Sequence, residues 1–160
     1  MELSEVEAAI DEPRRQSPLI ERTGYRLIKV GELALATAER ALEPLGIKPR
    51  QLNVLATLAA DATLSQQDVS QRLGIDPNVL VGVIDDLERR GLAERRRNPR
   101  DRRRHVIIVT PAGHRLLAEG AARLDAAEAE FFAGVSDADQ AVVRRVTAYL
   151  IDKHPPVIKR

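Results

Sequence analysis

The chain of 160 residues is long enough for one domain with a buried core, and its 44% hydrophobic and 31% charged residues exclude wholesale disorder. Its uncharged stretches fall far short of the about 20 residues that a membrane-spanning helix needs, so we expect a soluble protein that does not enter the membrane. The absence of cysteine excludes disulfides, thiolate metal sites and thiol redox switches.

The first twelve residues are acidic, where an export signal would be basic and then apolar. Five of them are carboxylates: Glu2, Glu5, Glu7, Asp11 and Glu12. We therefore expect no export signal and a cytoplasmic protein.

Positive charge is concentrated in one segment. Seven of the ten residues from Arg95 to Arg104 are arginine and one is aspartate, so the segment carries +6 and leaves −5 on the rest of a chain whose formal net charge is +1. A solvated loop is one interpretation of such a segment, and a surface that binds a polyanion is the other.

The first half of the chain has the periodicity of helices. Apolar residues at helical spacing predict a long first helix over residues 20–43, which Pro44 and Gly46 end. Pro49 then opens a second helix that runs to about Ala60.

Two helices around a tight turn are predicted next. Ser65 is a good N-cap for a short helix that closes at Gly74. Asp76 caps a further helix with Pro77 at its first position, which runs to Gly91. This order matches a helix-turn-helix, whose second helix lies in the DNA major groove, although ordinary packing of two short helices would give the same pattern.

A β-hairpin with an arginine-rich tip follows the helix pair. Residues 92–97 and 105–110 are predicted strands, and Asn98-Pro99-Arg100-Asp101 supplies the turn between them. The unbroken apolar run at 106–109 indicates a strand that is covered on both faces. A helix-turn-helix followed by such a hairpin is a winged helix, in which the basic hairpin can bind the DNA backbone or minor groove.

The chain is predicted to end in two helices. Thr110 caps an alanine-rich helix from Ala112 to about Phe132, and Gly134 breaks it. Ser136 caps the last helix, which Pro155-Pro156 ends. The fold class is therefore mainly α, with an α+β winged helix-turn-helix between terminal helices.

The helix that begins after Asp76 divides into two faces at its period of 3.6 residues. Its predicted buried stripe consists of Leu80, Val83, Ile84 and Leu87. Its predicted exposed face includes Asn78, whose amide can pair with adenine, and Val81, which can touch a thymine methyl. Gly82 allows close approach to DNA, and Arg89 suits a phosphate contact. Asp85 lies on the same side and needs cytosine or an arginine as its partner.

The stretch LSQQDVSQRLGIDPNVLVGVIDDLERRGLAERRRNPRDRRRHVIIVTPAG resembles the MarR family of bacterial transcription regulators. The resemblance lies in the LERRGL turn into the wing, in Asp101 and Arg103, and in the Thr-Pro-x-Gly entry to the next helix. It implies one domain over 1–160, with a winged helix-turn-helix at 49–110, a wing at about 92–110, and dimerisation helices at 20–48 and 111–154. It also implies a homodimer that binds a pseudo-palindromic operator in double-stranded DNA, most often as a repressor.

The resemblance also assigns roles to residues. Asn78, Val81 and Gly82 stand where the family reads bases, and Arg103 stands at the wing arginine that enters the minor groove. Asp101 is expected to orient the wing by pairing with an arginine. The predicted DNA contacts are Ser65, Gln66, Pro77, Asn78, Val81, Gly82, Arg89, Arg95, Arg100, Arg102 and Arg103. The start of this helix, Pro77-Asn78-Val79, lacks the family's usual hydroxyl or basic residues, so the family's operator is not carried over.

Family members commonly respond to small aromatic or anionic effectors bound between the dimer helices and the DNA-binding lobe. The resemblance therefore implies an effector, and Tyr25, Arg26 and Arg50 are candidates to line its site, although structural or solvated roles suit each of them as well. We expect no cofactor and no metal.

Two other functions compete with this interpretation. An enzyme is disfavoured because the histidines lack metal-ligand spacing, no phosphate-binding glycine loop is present, and the adjacent Asp85 and Asp86 point about 100° apart on a helix. A winged helix that contacts protein or RNA is the remaining alternative, and dispensable wing charges would favour it.

Overall fold

The computed structural model describes residues 18–97 and 105–154. A 3-10 turn at Pro18–Glu21 precedes α1, and another at Glu43–Leu45 follows it. The helices are α1 (Thr23–Leu42), α2 (Pro49–Ala60), α3 (Gln66–Leu73), α4 (Pro77–Arg89), α5 (Pro111–Phe131) and α6 (Asp137–Lys153), and the strands β1 (Ala93–Arg97) and β2 (His105–Val109) lie between α4 and α5. The predicted order of elements is confirmed, and the first helix begins three residues late because the 3-10 turn occupies its expected start.

All four predicted N-caps accept a hydrogen bond from the first turn of their helix. The Asp76 carboxylate accepts from the backbone N–H of Asn78 at 2.8 Å, and Thr110 Oγ1 accepts from Gly113 at 3.0 Å. Ser65 and Ser136 do the same at α3 and α6. These bonds satisfy N–H groups that the helix itself leaves unpaired, so local sequence is sufficient to start each helix.

The hairpin has a regular antiparallel register from Ala93 opposite Val109 to Arg97 opposite His105. Each strand is one residue shorter than predicted at the base of the hairpin. There the Thr110 N–H donates to the Leu92 carbonyl at 3.0 Å, and Thr110 already caps α5. The tip, residues 98–104, lies outside the described residues.

One hydrophobic core lies inside the winged helix-turn-helix. Its fully buried side chains include Leu55, Leu58, Leu80, Ile84 and Leu87, with Ile107 from the hairpin. The predicted stripe of α4 is therefore confirmed except at Val83, which is only half-buried. In β2 the run at 106–109 is buried apart from the half-buried Ile108, because α2, α3 and α5 pack against the strand.

The terminal helices leave most of their apolar side chains outside this core. Of the apolar residues that predicted the first helix, Leu42 is fully buried, whereas Leu27, Ile28, Leu33 and Leu35 are each about half exposed. Helix α6 buries none of its residues. Within the described residues, no helix is both long and apolar enough to span a membrane.

Candidate nucleic-acid interface and effector cavity

The N-terminal part of the outer face of α4 is open to solvent among the described residues. Pro77, Asn78, Val81 and Gly82 are all exposed, and a Cβ built on Gly82 would meet no atom within 4 Å. The Asp76 carboxylate accepts from the backbone N–H groups of Asn78 and Val79, and among the described residues none bonds to the side-chain amide of Asn78. Hydrogen-bonding and apolar groups are therefore presented to solvent side by side, as readout of base edges in a major groove requires.

Ser65 and Gln66 stand at the start of α3, as predicted, but the Ser65 hydroxyl is already engaged. It donates to Asp68 Oδ2 at 2.6 Å and accepts from the Asp68 N–H, while the Ser65 N–H donates to the same carboxylate at 2.8 Å. This reciprocal capping box fixes the start of the helix. Gln66 is half-buried.

Arg95 fastens the wing to α4. Its guanidinium donates to Asp85 at 2.7 Å and to Glu88, and its backbone N–H donates to Glu88 Oε1 at 2.8 Å. Its side chain is only 32% exposed. Two carboxylates of α4 therefore hold the Arg95 guanidinium, and its role as a DNA contact stays a prediction. The same bond gives Asp85 the arginine partner that its position on the outer face requires.

The other arginines of this surface remain exposed. Arg89 pairs with Asp86 on its own helix, yet its side chain is 72% exposed. Arg96 pairs with Glu94, and Arg97 is exposed at the end of β1. The predicted tip residues Arg100, Asp101, Arg102 and Arg103 lie outside the described residues.

An open cavity of about 1020 Å³ lies between α1, the start of α2 and the end of α5. Its apolar wall comprises Leu33, Ala36, Ile47, Pro49 and Phe131. Arg40 and Lys48 add two cations, and Glu39 and Glu43 add two carboxylates. Within the described part of the chain, neither Arg40 nor Lys48 makes an ion pair, so both cations can meet a ligand.

Comparison with known proteins supports this architecture. A profile described as "MarR family" matches residues 45–104. A transcriptional regulator (MarR family) from Rhodococcus sp. RHA1, known from a crystal structure, is 33% identical in sequence to this chain. The match covers 89% of this chain and 100% of the regulator's chain, with a TM-score of 0.76. The chain belongs to the MarR family.

Two further relatives of this MarR family chain indicate the range of its similarity. CouR from Rhodococcus jostii RHA1, solved bound to p-coumaroyl-CoA, is 34% identical over 91% of this chain and 100% of its own, with a TM-score of 0.74. A putative transcriptional regulatory protein for the hcr operon of Thauera aromatica is 32% identical over 95 residues, 59% of this chain. The chain spans 57% of the length of that relative.

The resemblance to the MarR family and the winged helix-turn-helix fold are both confirmed. The relatives are transcriptional regulators of the MarR family, whose members are not enzymes. In the described ranges, no three or more His, Asp or Glu side chains are grouped so that they could hold a metal ion.

The three residues predicted to line an effector site do not line the cavity between α1, α2 and α5, and their role at such a site stays a prediction. Arg26 donates to the Ile20 carbonyl at 2.6 Å, and the Tyr25 ring lies 5.9 Å from the Lys29 ammonium. Both stand near the start of α1, and Tyr25 is roughly 12 Å along the helix axis from the cavity residue Leu33. Arg50 lines a separate groove of about 630 Å³ beside the turn at Gly74.

Sequence reasoning missed the polar contacts that hold α4 in place. Glu88 binds Arg95, Gln51 donates to Asp86 at 2.6 Å, and Arg90 donates to the Gly46 carbonyl at 2.9 Å. Glu88 and Arg90 belong to the LERRGL motif, which marks the family but does not say what its charges bind. No sequence pattern indicated a role for Gln51.

Proposed function

We propose that the chain is a homodimeric, effector-responsive repressor that binds a pseudo-palindromic operator in double-stranded DNA. The observation that carries the proposal is the exposed outer face of α4, with Asn78, Val81 and Gly82, beside a hairpin rich in arginine. Arginines on a wing release counterions from DNA, while the acidic remainder of the chain disfavours other orientations. A dimer bound across a promoter prevents access of the polymerase.

The second part of the proposal is that α1, α5 and α6 belong to the dimer interface. Helix α6 exposes Val142, Val143, Val146 and Tyr149 on one side, each by between 42% and 61% of its surface. An apolar stripe of this kind on a helix that buries nothing in its own chain needs a partner. A second copy meets that need, and it places two recognition helices about one turn of DNA apart.

The third part concerns the effector, for which we propose an aromatic carboxylic acid or its coenzyme A thioester. The apolar wall with Phe131 suits an aromatic ring, and the unpaired cations Arg40 and Lys48 suit an anionic end. The relative CouR, at 34% identity, was solved with p-coumaroyl-CoA. We therefore choose p-coumaroyl-CoA and p-coumarate as the first probes.

The deciding experiment is fluorescence anisotropy with two duplexes of equal length at near-physiological salt, one from upstream of the protein's own gene and one scrambled. We expect tight binding to the first alone, and release of that duplex by one of the two probes. Weak and equal binding to both duplexes would favour the winged helix that contacts protein or RNA.

Replacing Asn78 with alanine should cost about 1–3 kcal/mol of binding free energy on the specific duplex and little on the scrambled one, because a base contact is lost. Arg103→Ala is the contrasting variant. If Arg103 meets one phosphate, this change weakens binding to all duplexes and flattens the log-log salt dependence by about one unit. Equal losses for Asn78→Ala on both duplexes would argue against base reading.

Replacing Gly82 with alanine separates folding from DNA binding. An added Cβ meets no protein atom, so we expect the free energy of unfolding to rise by about 0.5–1 kcal/mol, as for a helix-interior glycine. Operator affinity should nevertheless fall by about tenfold, ~1.4 kcal/mol, because the methyl group stands between helix and DNA. Chemical denaturation and anisotropy measure the two effects, and unchanged affinity would remove Gly82 from the interface.

Replacing Arg95 with methionine should weaken operator binding by about fivefold, ~1 kcal/mol, because the wing is released and two carboxylates are left unpaired. The partner change Asp85→Asn with Glu88→Gln tests the cause. If Arg95 acts by holding α4, the triple variant recovers affinity in the anisotropy assay. If Arg95 itself binds phosphate, the added changes recover nothing.

A further inference from the structure

The connecting segment between α1 and α2, residues 43–48, is bonded directly to the end of α4. Arg90 immediately follows α4 and is half-buried. Its Nη1 donates to the Gly46 carbonyl at 2.9 Å and its Nη2 to the Leu45 carbonyl at 3.1 Å. One planar guanidinium therefore holds two successive carbonyls of the connecting segment.

A second bridge joins the same two parts through Gln51 in the first turn of α2. Its Oε1 accepts from the Lys48 N–H at 2.8 Å, and its Nε2 donates to Asp86 Oδ2 at 2.6 Å. Asp86 and Arg90 are four residues apart and so lie on one face of the helical turn. The connecting segment is thus attached to α4 at two points, one turn apart.

The connecting segment also forms one wall of the effector cavity, through Gly46, Ile47 and Lys48. The backbone that an occupant touches is therefore the backbone that Arg90 and Gln51 hold. A displacement there reaches α4 through two hydrogen-bonded side chains, without repacking the core around Leu80 and Ile84.

The bridges of Arg90 and Gln51 act on the flank of α4 that faces away from the wing. At about 100° per residue, the pair Asp86 and Arg90 is centred about 150° around the helix from the pair Asp85 and Glu88, the two carboxylates that bind Arg95. The recognition helix is held between the connecting segment on one side and the wing on the other. Movement of one support while the other stays in place turns the outer face of the helix.

We propose that Arg90 and Gln51 are positioning residues that couple occupancy of the cavity to the placement of the recognition helix. The inference rests on the proposed function, since it describes how an effector changes DNA binding. An occupant can bind one position of the connecting segment more tightly than another. It then shifts the equilibrium between the corresponding positions of α4 by that difference in binding free energy and by no more.

The test uses an occupant built into the protein, so that no effector need be known. Ala36 is an exposed residue of α1 that lines the cavity, and Ala36→Trp places an indole in it. The change is made in the parent protein, in an uncoupled background with Arg90→Met and Gln51→Leu, and in a matched background with Arg123→Met. Arg123 pairs with Glu119 on the surface of α5, so its loss removes the same charge without touching α4.

The first readout is amide hydrogen exchange of residues 77–89. We expect Ala36→Trp to change their exchange rates by about fivefold or more in the parent and in the Arg123→Met background, and by less than about twofold in the uncoupled background. Equal changes in all three backgrounds, or no change in the parent, overturn the proposal. If the double variant folds poorly, Arg90→Lys replaces it. A lysine keeps the charge and at most one of the two hydrogen bonds, so the effect of Ala36→Trp on the exchange rates should then be intermediate.

The second readout is anisotropy with the duplex from upstream of the gene, for which the same pattern is expected in operator affinity. A parent protein that binds no duplex contradicts the proposed function, while the exchange cycle still decides whether the cavity is coupled to α4. An operator affinity that responds to Ala36→Trp equally with and without Arg90 and Gln51 rejects these two residues as the coupling.

Discussion

Replacing Val146 with arginine is expected to lower operator affinity by about a hundredfold or more. Val146 stands in the middle of the exposed apolar side of α6, with 45% of its surface open in the single chain. A buried arginine in a two-fold interface appears twice and without a partner, so the dimer dissociates. A monomer binds only one half-site and loses the avidity of the second, which is worth about 10²–10⁴ in affinity.

Ala148→Arg is the matched control for this prediction. Ala148 lies on the same helix and is exposed, but at about 100° per residue it points about 160° away from Val146 and lies outside the stripe of Val142, Val146 and Tyr149. It should leave both the mass in sedimentation and the affinity in anisotropy close to the parent values. A dimeric Val146→Arg protein with full affinity would place the interface elsewhere, and equal damage from both variants would mean that α6 itself had unfolded.

Replacing Gly113 with alanine is expected to lower the free energy of unfolding by about 3 kcal/mol or more. A Cβ at this position would lie 2.1 Å from the Leu92 carbonyl oxygen and 2.8 Å from Val109 Cγ1. The nearer atom belongs to backbone that also pairs with Thr110, so it cannot move away without opening the base of the hairpin. Overpacking against fixed backbone is among the costliest single substitutions.

Urea unfolding at one fixed protein concentration measures this loss, since the stability of the proposed dimer would depend on concentration. Gly24→Ala is the control, because a Cβ on Gly24 in the first turn of α1 meets no atom within 4 Å. It should leave the midpoint unchanged or raise it. A Gly113→Ala protein as stable as the parent would show that α5 can move away from the hairpin at little cost.

The Gly113 contact also gives a physical reason for one family motif. In the Thr-Pro-x-Gly entry to α5, Thr110 caps the helix and Pro111 occupies its first turn, both of which follow from local rules. The glycine is required by a long-range contact, because the start of α5 crosses the backbone at Leu92. The sequence predicted the cap but offered no reason for the glycine.

The positions of the helices were predictable because their signals are local. Capping residues, prolines in first turns and glycines after last turns act over three or four residues, and those signals are legible at Ser65, Gly74, Asp76 and Thr110. The hairpin was predictable for the same reason, since the apolar run of β2 follows a turn sequence. The apolar stripes of α1 and α6 were equally visible in the sequence. The sequence did not show that their own chain leaves these stripes uncovered.

The contacts that individual charged side chains make within the chain were not predictable from the sequence. Arg95 was assigned to DNA with the rest of its arginine segment, whereas its guanidinium is held by two carboxylates of α4. Tyr25, Arg26 and Arg50 are candidates because they lie on elements that could line an effector site, whereas the cavity is lined by other residues of α1 and by the connecting segment. In each case the residue type indicated which kind of contact the side chain can make, but the sequence did not indicate which partner it contacts.

By itself, the sequence determined the order of the elements, their ends to within three residues, the basic hairpin after a helix pair, and through them the family. Each of these depends on residues within a turn or two of one another. Only the tertiary structure decided which cationic side chains bind other parts of the chain and which are left for a ligand. The deciding contacts join residues as far apart in sequence as Gln51 and Asp86, or Gly46 and Arg90. Such partners are chosen by how helices approach one another in the fold, and no local spacing encodes that approach.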